Sequence, residues 1–131
     1  MNITLWVLQV VLALAFFAHG WMFLAPPPEV AVLMNAMLPR WFQVFLGIAE
    51  VAAAIGLTLP RLTNVKPWLV SWAAGGLMIV TGSATVLHLA RSEFSAALTT
   101  LVLLALSAIV AYGRRERRDS TLIPVGARNF A

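Results

Sequence analysis

The chain has no cysteine, a single tyrosine and little charge: of its 131 residues only 11% are Asp, Glu, Lys or Arg. Without a thiol, this sequence alone cannot supply a disulfide, a thiolate metal site, an iron–sulfur cluster, a c-type haem attachment or a thiol redox centre. A soluble domain carries roughly 25% charged and about 45–50% apolar residues, whereas here 61% are hydrophobic. A chain of this size has too little interior to hide that much apolar surface from water, but a bilayer accepts it without a large core. The composition is therefore that of an integral membrane protein. Its formal charge of +4 does not point to nucleic acid, because the excess lies in "RRERR", Arg114 to Arg118, directly after the last apolar run. Basic residues there fit a membrane-flanking anchor.

Cut at charges and prolines, the sequence yields four apolar segments, at about residues 3–25, 41–59, 68–90 and 94–113. Each has about the 20 residues that cross a hydrocarbon core of about 30 Å as a helix. Lipid leaves no backbone group unpaired and strict alternation is missing, so these are helices rather than barrel strands. The expected architecture is all-α: a four-helix transmembrane bundle over 1–113 with short loops, followed by a basic, mobile tail over 114–131. The first segment reads as a retained helix, since "MNITLW" has no basic n-region and no small-x-small cleavage site follows the long apolar stretch. Between the first two helices, "APPPEVAVLMNAMLPR" spaces Val30, Leu33, Met34, Met37 and Leu38 either as a short amphipathic helix on the membrane surface or as an ordinary loop. The brief "RSE" makes the last two helices antiparallel neighbours.

Arg61 and Lys66 fall on the side of Arg114, Arg115, Arg117 and Arg118, while the other side holds Arg40 and Arg91. The positive-inside rule then puts both termini in the cytoplasm, as expected for a bacterial cytoplasmic membrane. Trp6, Trp21, Trp41, Trp68, Trp72 and Tyr112 lie near helix ends, where aromatic anchors belong. In this orientation Glu50 lies about 14 Å below the outer boundary, His19 about 9 Å and His88 about 5 Å. An ionised carboxylate near the bilayer centre costs several kcal/mol, so Glu50 is expected to face the bundle interior, paired or protonated.

Gln43, Gly47, Glu50, Ala54 and Leu57 share one stripe of the second helix; Thr81, Thr85, His88 and Ser92 share one of the third, and the two stripes are expected to face each other. Ala49 with Ala53, Ala52 with Gly56 and Ser71 with Gly75 have the small-xxx-small spacing that lets helix backbones touch. Each polar group also has a plain structural reading: Glu50 fixing helix register, His88 reaching headgroup water, His19 donating to a neighbouring helix, Arg91 and Glu93 capping a turn. Taken together they point to a polar pocket opening outward, with Glu50 and His88 as candidate proton-exchanging residues and His19, Gln43, Thr85, Arg91 and Glu93 as candidate ligand contacts. No metal site is expected.

The stretches "FFAHGWMFL", "FQVFLGIAEVAAAIGLTLPRL" and "TGSATVLHLARSEFSAALTTLVLLALSAIVAYGRR" resemble the DoxX-like family of small four-helix membrane proteins. The most telling part is Gly47-x-x-Glu50 followed by Gly56-Leu57-x-Leu59-Pro60; the turn from His88 to Glu93 and the closing Tyr-Gly-Arg match as well, so the likeness runs from about Leu5 to Arg114. Many members carry a lysine three residues after the first helix's glycine; here that place holds Phe23, which leaves His19 as the residue available to pair with the acid.

The resemblance implies a link to quinone-dependent sulfur oxidation or to membrane oxidoreductase complexes, while animal relatives act as receptor-assembly chaperones. The leading expectation is a small subunit of a membrane redox system with a quinone-type or other apolar ligand in the outer half of the bundle. The alternative is a non-enzymatic assembly factor or partner subunit that binds another membrane protein, or a second copy of itself, through small-residue faces. A b-type haem between His19 and His88 is disfavoured. So is a proton-coupled transporter, for want of broken helices or an evident repeat.

Overall fold

A computed structural model describes residues 3–64, 66 and 68–121, with side chains for all of these except Arg61 and 116–121. The described residues form five helices: α1 (Ile3–Leu24), α2 (Pro28–Met37), α3 (Arg40–Leu62), α4 (Leu69–Ala90) and α5 (Phe94–Thr121). Four of them, α1, α3, α4 and α5, are long and apolar enough to cross a membrane. They pack as a ring: α1 lies along α3 and α4 along α5, α3 meets α4, and a thinner α1–α5 contact closes the circle.

The interior is narrow. Leu12, Phe16, Leu57, Leu77 and Val110 fill it, while Phe17, Ile48, Ile79 and Leu101 point outward, as lipid-facing residues do when the solvent is as apolar as the core. Trp21, Trp41, Trp68, Trp72 and Tyr112 are also exposed, in keeping with anchors near the helix ends.

Where helices begin and end follows from proline and turn chemistry. Pro26, Pro27 and Pro28 have no N–H, so the carbonyls of Met22, Phe23 and Leu24 lose their in-helix donors and α1 stops. Pro28 then opens α2, its fixed φ suiting the first helical position. The connecting segment is thus a helix rather than a plain loop, and α2 buries none of its own residues. Pro60 lies inside α3 and does not end it at 59; the chain continues helical to Leu62. Between α4 and α5, the Ser92 N–H bonds Leu89 O, the Glu93 N–H bonds His88 O, and Ser92 sits at φ 58. That is a Schellman ending with serine in the left-handed position where glycine is commoner.

α5 runs past 113 to Thr121, because Arg and Glu sustain a helix once it has left the apolar layer. The first part of the expected tail is therefore helical, and 122–131 lie outside the described residues.

Candidate functional site

The α1–α3 seam is organised by two glycines. A Cβ on Gly20 would come within 2.9 Å of the Gly47 carbonyl oxygen, and one on Gly47 within 2.8 Å of the Gly20 oxygen. The two backbones therefore touch, an approach that only glycine permits. His19 adjoins Gly20, and Glu50 is one turn along α3 from Gly47.

The helices run antiparallel, and helical side chains lean toward their own N-terminus. His19 thus leans away from the α2 end of the bundle and Glu50 leans toward it, so the two meet although they stand at different depths on their helices. His19 Nδ1 lies 2.7 Å from Glu50 Oε2. Glu50 is 2% exposed, but the His19 side chain is 61% exposed, with Phe23 edge-on to its ring. No hydrogen bond among the described residues reaches His19 Nε2. A buried carboxylate has thus been joined to the bundle surface through an imidazole. The pairing partner that the missing lysine left open is His19.

Gln43 is fully buried on the same face as Glu50 but two turns nearer the α2 end. Its Nε2 donates to Asn35 Oδ1 at 3.0 Å and to Leu38 O at 2.8 Å, so it ties α2 down rather than meeting the dyad. Next to it, Arg40 donates from Nη1 to Phe23 O at 2.8 Å and from Nη2 to Leu24 O at 2.7 Å. These are two of the carbonyls that the prolines orphaned. The sequence reading counted Arg40 only as a charge on one side; its role as the cap of α1 was signalled by the proline triplet, which demands a donor from elsewhere.

His88, Thr85, Arg91 and Glu93 gather at the α4–α5 turn. His88 Nδ1 lies 2.6 Å from Glu93 Oε2, and one hydroxyl of the Thr85–Thr100 pair, 2.8 Å apart, donates to the other. The Arg91 side chain is exposed and makes no hydrogen bond among the described residues. No hydrogen bond or ion pair among the described residues joins this group to the His19–Glu50 pair. The α3 stripe carrying Glu50 meets α1 at Gly47 and Glu50, and its Ala54 and Leu57 share the core with Ala74 and Leu77 of α4. Thr81 turns back to Leu77 O at 2.7 Å. α3 also touches α4 where Gly56 faces Ala73.

A third polar group was missed. At the other end of the bundle Arg114 Nε donates to Gln9 Oε1 at 2.6 Å, and Gln9 Nε2 donates to Leu57 O at 2.6 Å. Three helices are fastened there through a fully buried amide. Gln9 as the lone amide within the first apolar segment was the available signal; Arg114 looked like an interfacial charge.

An apolar groove of about 210 Å³ between α1 and α3 is lined by Val10, Ala13, Leu14, Phe17, Ala54, Ile55 and Thr58. Phe17 and His19 are about 200° apart around α1, so the groove and the exposed imidazole lie on opposite flanks of the seam. Among the described residues no group of three or more His, Cys, Asp or Glu side chains is placed to hold a metal ion.

A model of the DoxX-like family matches residues 7–110, and the chain belongs to that family. No curated protein and no solved structure matches it.

Proposed function

We propose that this DoxX-like membrane protein serves as a small subunit of a membrane redox system and holds the head group of a quinone-type molecule at the His19–Glu50 pair. The observation that carries the reading is the pair itself: a carboxylate shut inside the bundle, bonded to an imidazole whose other nitrogen is unengaged at the surface. A quinone supplies two-electron, two-proton chemistry when bound, with the electrons coming from a partner redox protein.

This chain's residues do the rest. Glu50 orients the ring through Nδ1, which leaves Nε2 to accept from a ligand hydroxyl or, once protonated, to donate to a ligand carbonyl. Lys66, Arg114 and Arg115 favour a cytoplasmic location for the end of the bundle that carries them, which sets the pair in the outer half of a bacterial cytoplasmic membrane.

The test is binding of menaquinone and ubiquinone analogues to the purified protein in nanodiscs. His19→Ala and Glu50→Gln are expected to weaken binding by about tenfold or more, equivalent to about 1.4 kcal/mol, while His88→Ala binds as the parent does. Equal binding by all four proteins would end the proposal.

A second reading, as an assembly factor, partner subunit or homo-oligomer, draws on Gly75, Gly76 and Gly82. An added Cβ at any of these α4 positions would meet nothing within 4 Å among the described residues, which leaves room there for another helix. Crosslinking in mild detergent that recovers a stoichiometric protein partner, undisturbed by Glu50→Gln, would favour it.

A further inference from the structure

The surroundings of the dyad differ on its several sides, and the differences specify how a ligand reaches it. Toward the α2 end the way is closed in layers. The Leu24 side chain lies over Gly47, where a Cβ would come within 2.8 Å of Leu24 Cγ. Above that, Gln43 is fully buried and bonded to Asn35 and Leu38, and Arg40 straps the end of α1 to the start of α3. Toward the bundle centre, Phe16 on α1 and Ala54 on α3, each one turn from the dyad, are buried in the apolar core. Across the seam the glycine contact leaves no gap.

The remaining side is the outer flank of α1. There the imidazole is 61% exposed and its neighbours Ala15 and Ala18 are exposed as well. This flank is about 7 Å, or five residues, inside the end of a membrane-spanning helix, a depth at which acyl chains rather than water cover a helix surface.

We infer that the His19–Glu50 pair is open to lipid and shut to water, so that its ligand is a membrane-dissolved molecule bearing a carbonyl or hydroxyl head, which arrives sideways against α1 and meets His19 Nε2. The inference rests on the reading of this pair as a ligand site and adds the route and the solubility class. It excludes a water-soluble substrate entering through the α2 end. It also separates head from groove: the 210 Å³ depression on the opposite flank is not the passage, and an apolar tail stays among the lipids.

The native chain has no cysteine, so each single cysteine reports alone. Ala15→Cys, His19→Cys and Arg91→Cys are spin-labelled in nanodiscs and their collision rates measured with molecular oxygen, which concentrates in lipid, and with a neutral nickel chelate, which stays in water. Ala15→Cys leaves the dyad intact and covers the case in which His19→Cys disturbs the fold. The expected result is a positive logarithm of the oxygen-to-nickel ratio at 15 and 19 and a negative one at 91. Nickel collisions at 15 as frequent as those at 91 would overturn the lateral opening. Oxygen-dominated collisions support it even if quinone analogues fail to bind, so the route and the identity of the ligand stand or fall separately.

Discussion

The protein contains the same chemical pair twice, an imidazole Nδ1 against a carboxylate, in two different settings. His88 and Glu93 are five residues apart across one turn, with side chains 25% and 37% exposed. His19 and Glu50 come from different helices, and the acid is closed off. In the first, chain connectivity brings the partners together and solvent screens them, so the bond contributes little. In the second, the partners meet only if α1 and α3 are docked at Gly20 and Gly47, and loss of one leaves a buried carboxylate alone. The contrast teaches that burial and sequence separation, rather than residue identity, decide which of two equal contacts holds the fold and which is free to vary.

The largest expected effect tests that contrast directly. His19→Ala should destabilise the bundle by about 3 kcal/mol by leaving Glu50 unpaired, against under about 1 kcal/mol for His88→Ala, as read from unfolding in mixed micelles of increasing denaturing detergent. Equal losses would erase the distinction. Next, Gly47→Ala drives a Cβ against the Gly20 carbonyl and should cost about 2 kcal/mol. Gly82→Ala, with open space around it, should instead stabilise by about 0.5–1 kcal/mol; parallel melting curves would show the opposite signs.

Arg40→Gln removes both guanidinium bonds to the end of α1 and should lose about 1–2 kcal/mol, with faster amide exchange in α1's last turn as the local readout. The smallest effect belongs to the α4–α5 turn. Ser92→Gly relieves a left-handed serine and should gain at most about 1 kcal/mol without changing His88 or Glu93 chemical shifts.

Much of this is legible in the sequence alone. The lengths of the apolar runs and the cost of open backbone in lipid were enough for four spanning helices, and the cost of a bare carboxylate in hydrocarbon was enough to turn Glu50 inward. Spacing says which residues share a face, however, and not every neighbour that face meets; the glycine contact that holds the Glu50 stripe against α1 was not legible in it. Arg40 and Arg114 were read as surface charges because a sequence does not reveal which distant carbonyl or amide lacks a partner. Gln9 was passed over because a single amide in an apolar run attracts less notice than a histidine or an acid, although its two-sided hydrogen bonding makes it the better fastening point between helices.

The strap from Arg40 to α1 bears on biogenesis. The donor that completes the far end of the first span lies 16 residues downstream of the Leu24 carbonyl it serves. While the nascent chain is still shorter than this, that end carries bare carbonyls at the edge of the membrane. The end of α1 therefore gains its side-chain cap only once the start of α3 has been made, and until then interfacial water serves those carbonyls.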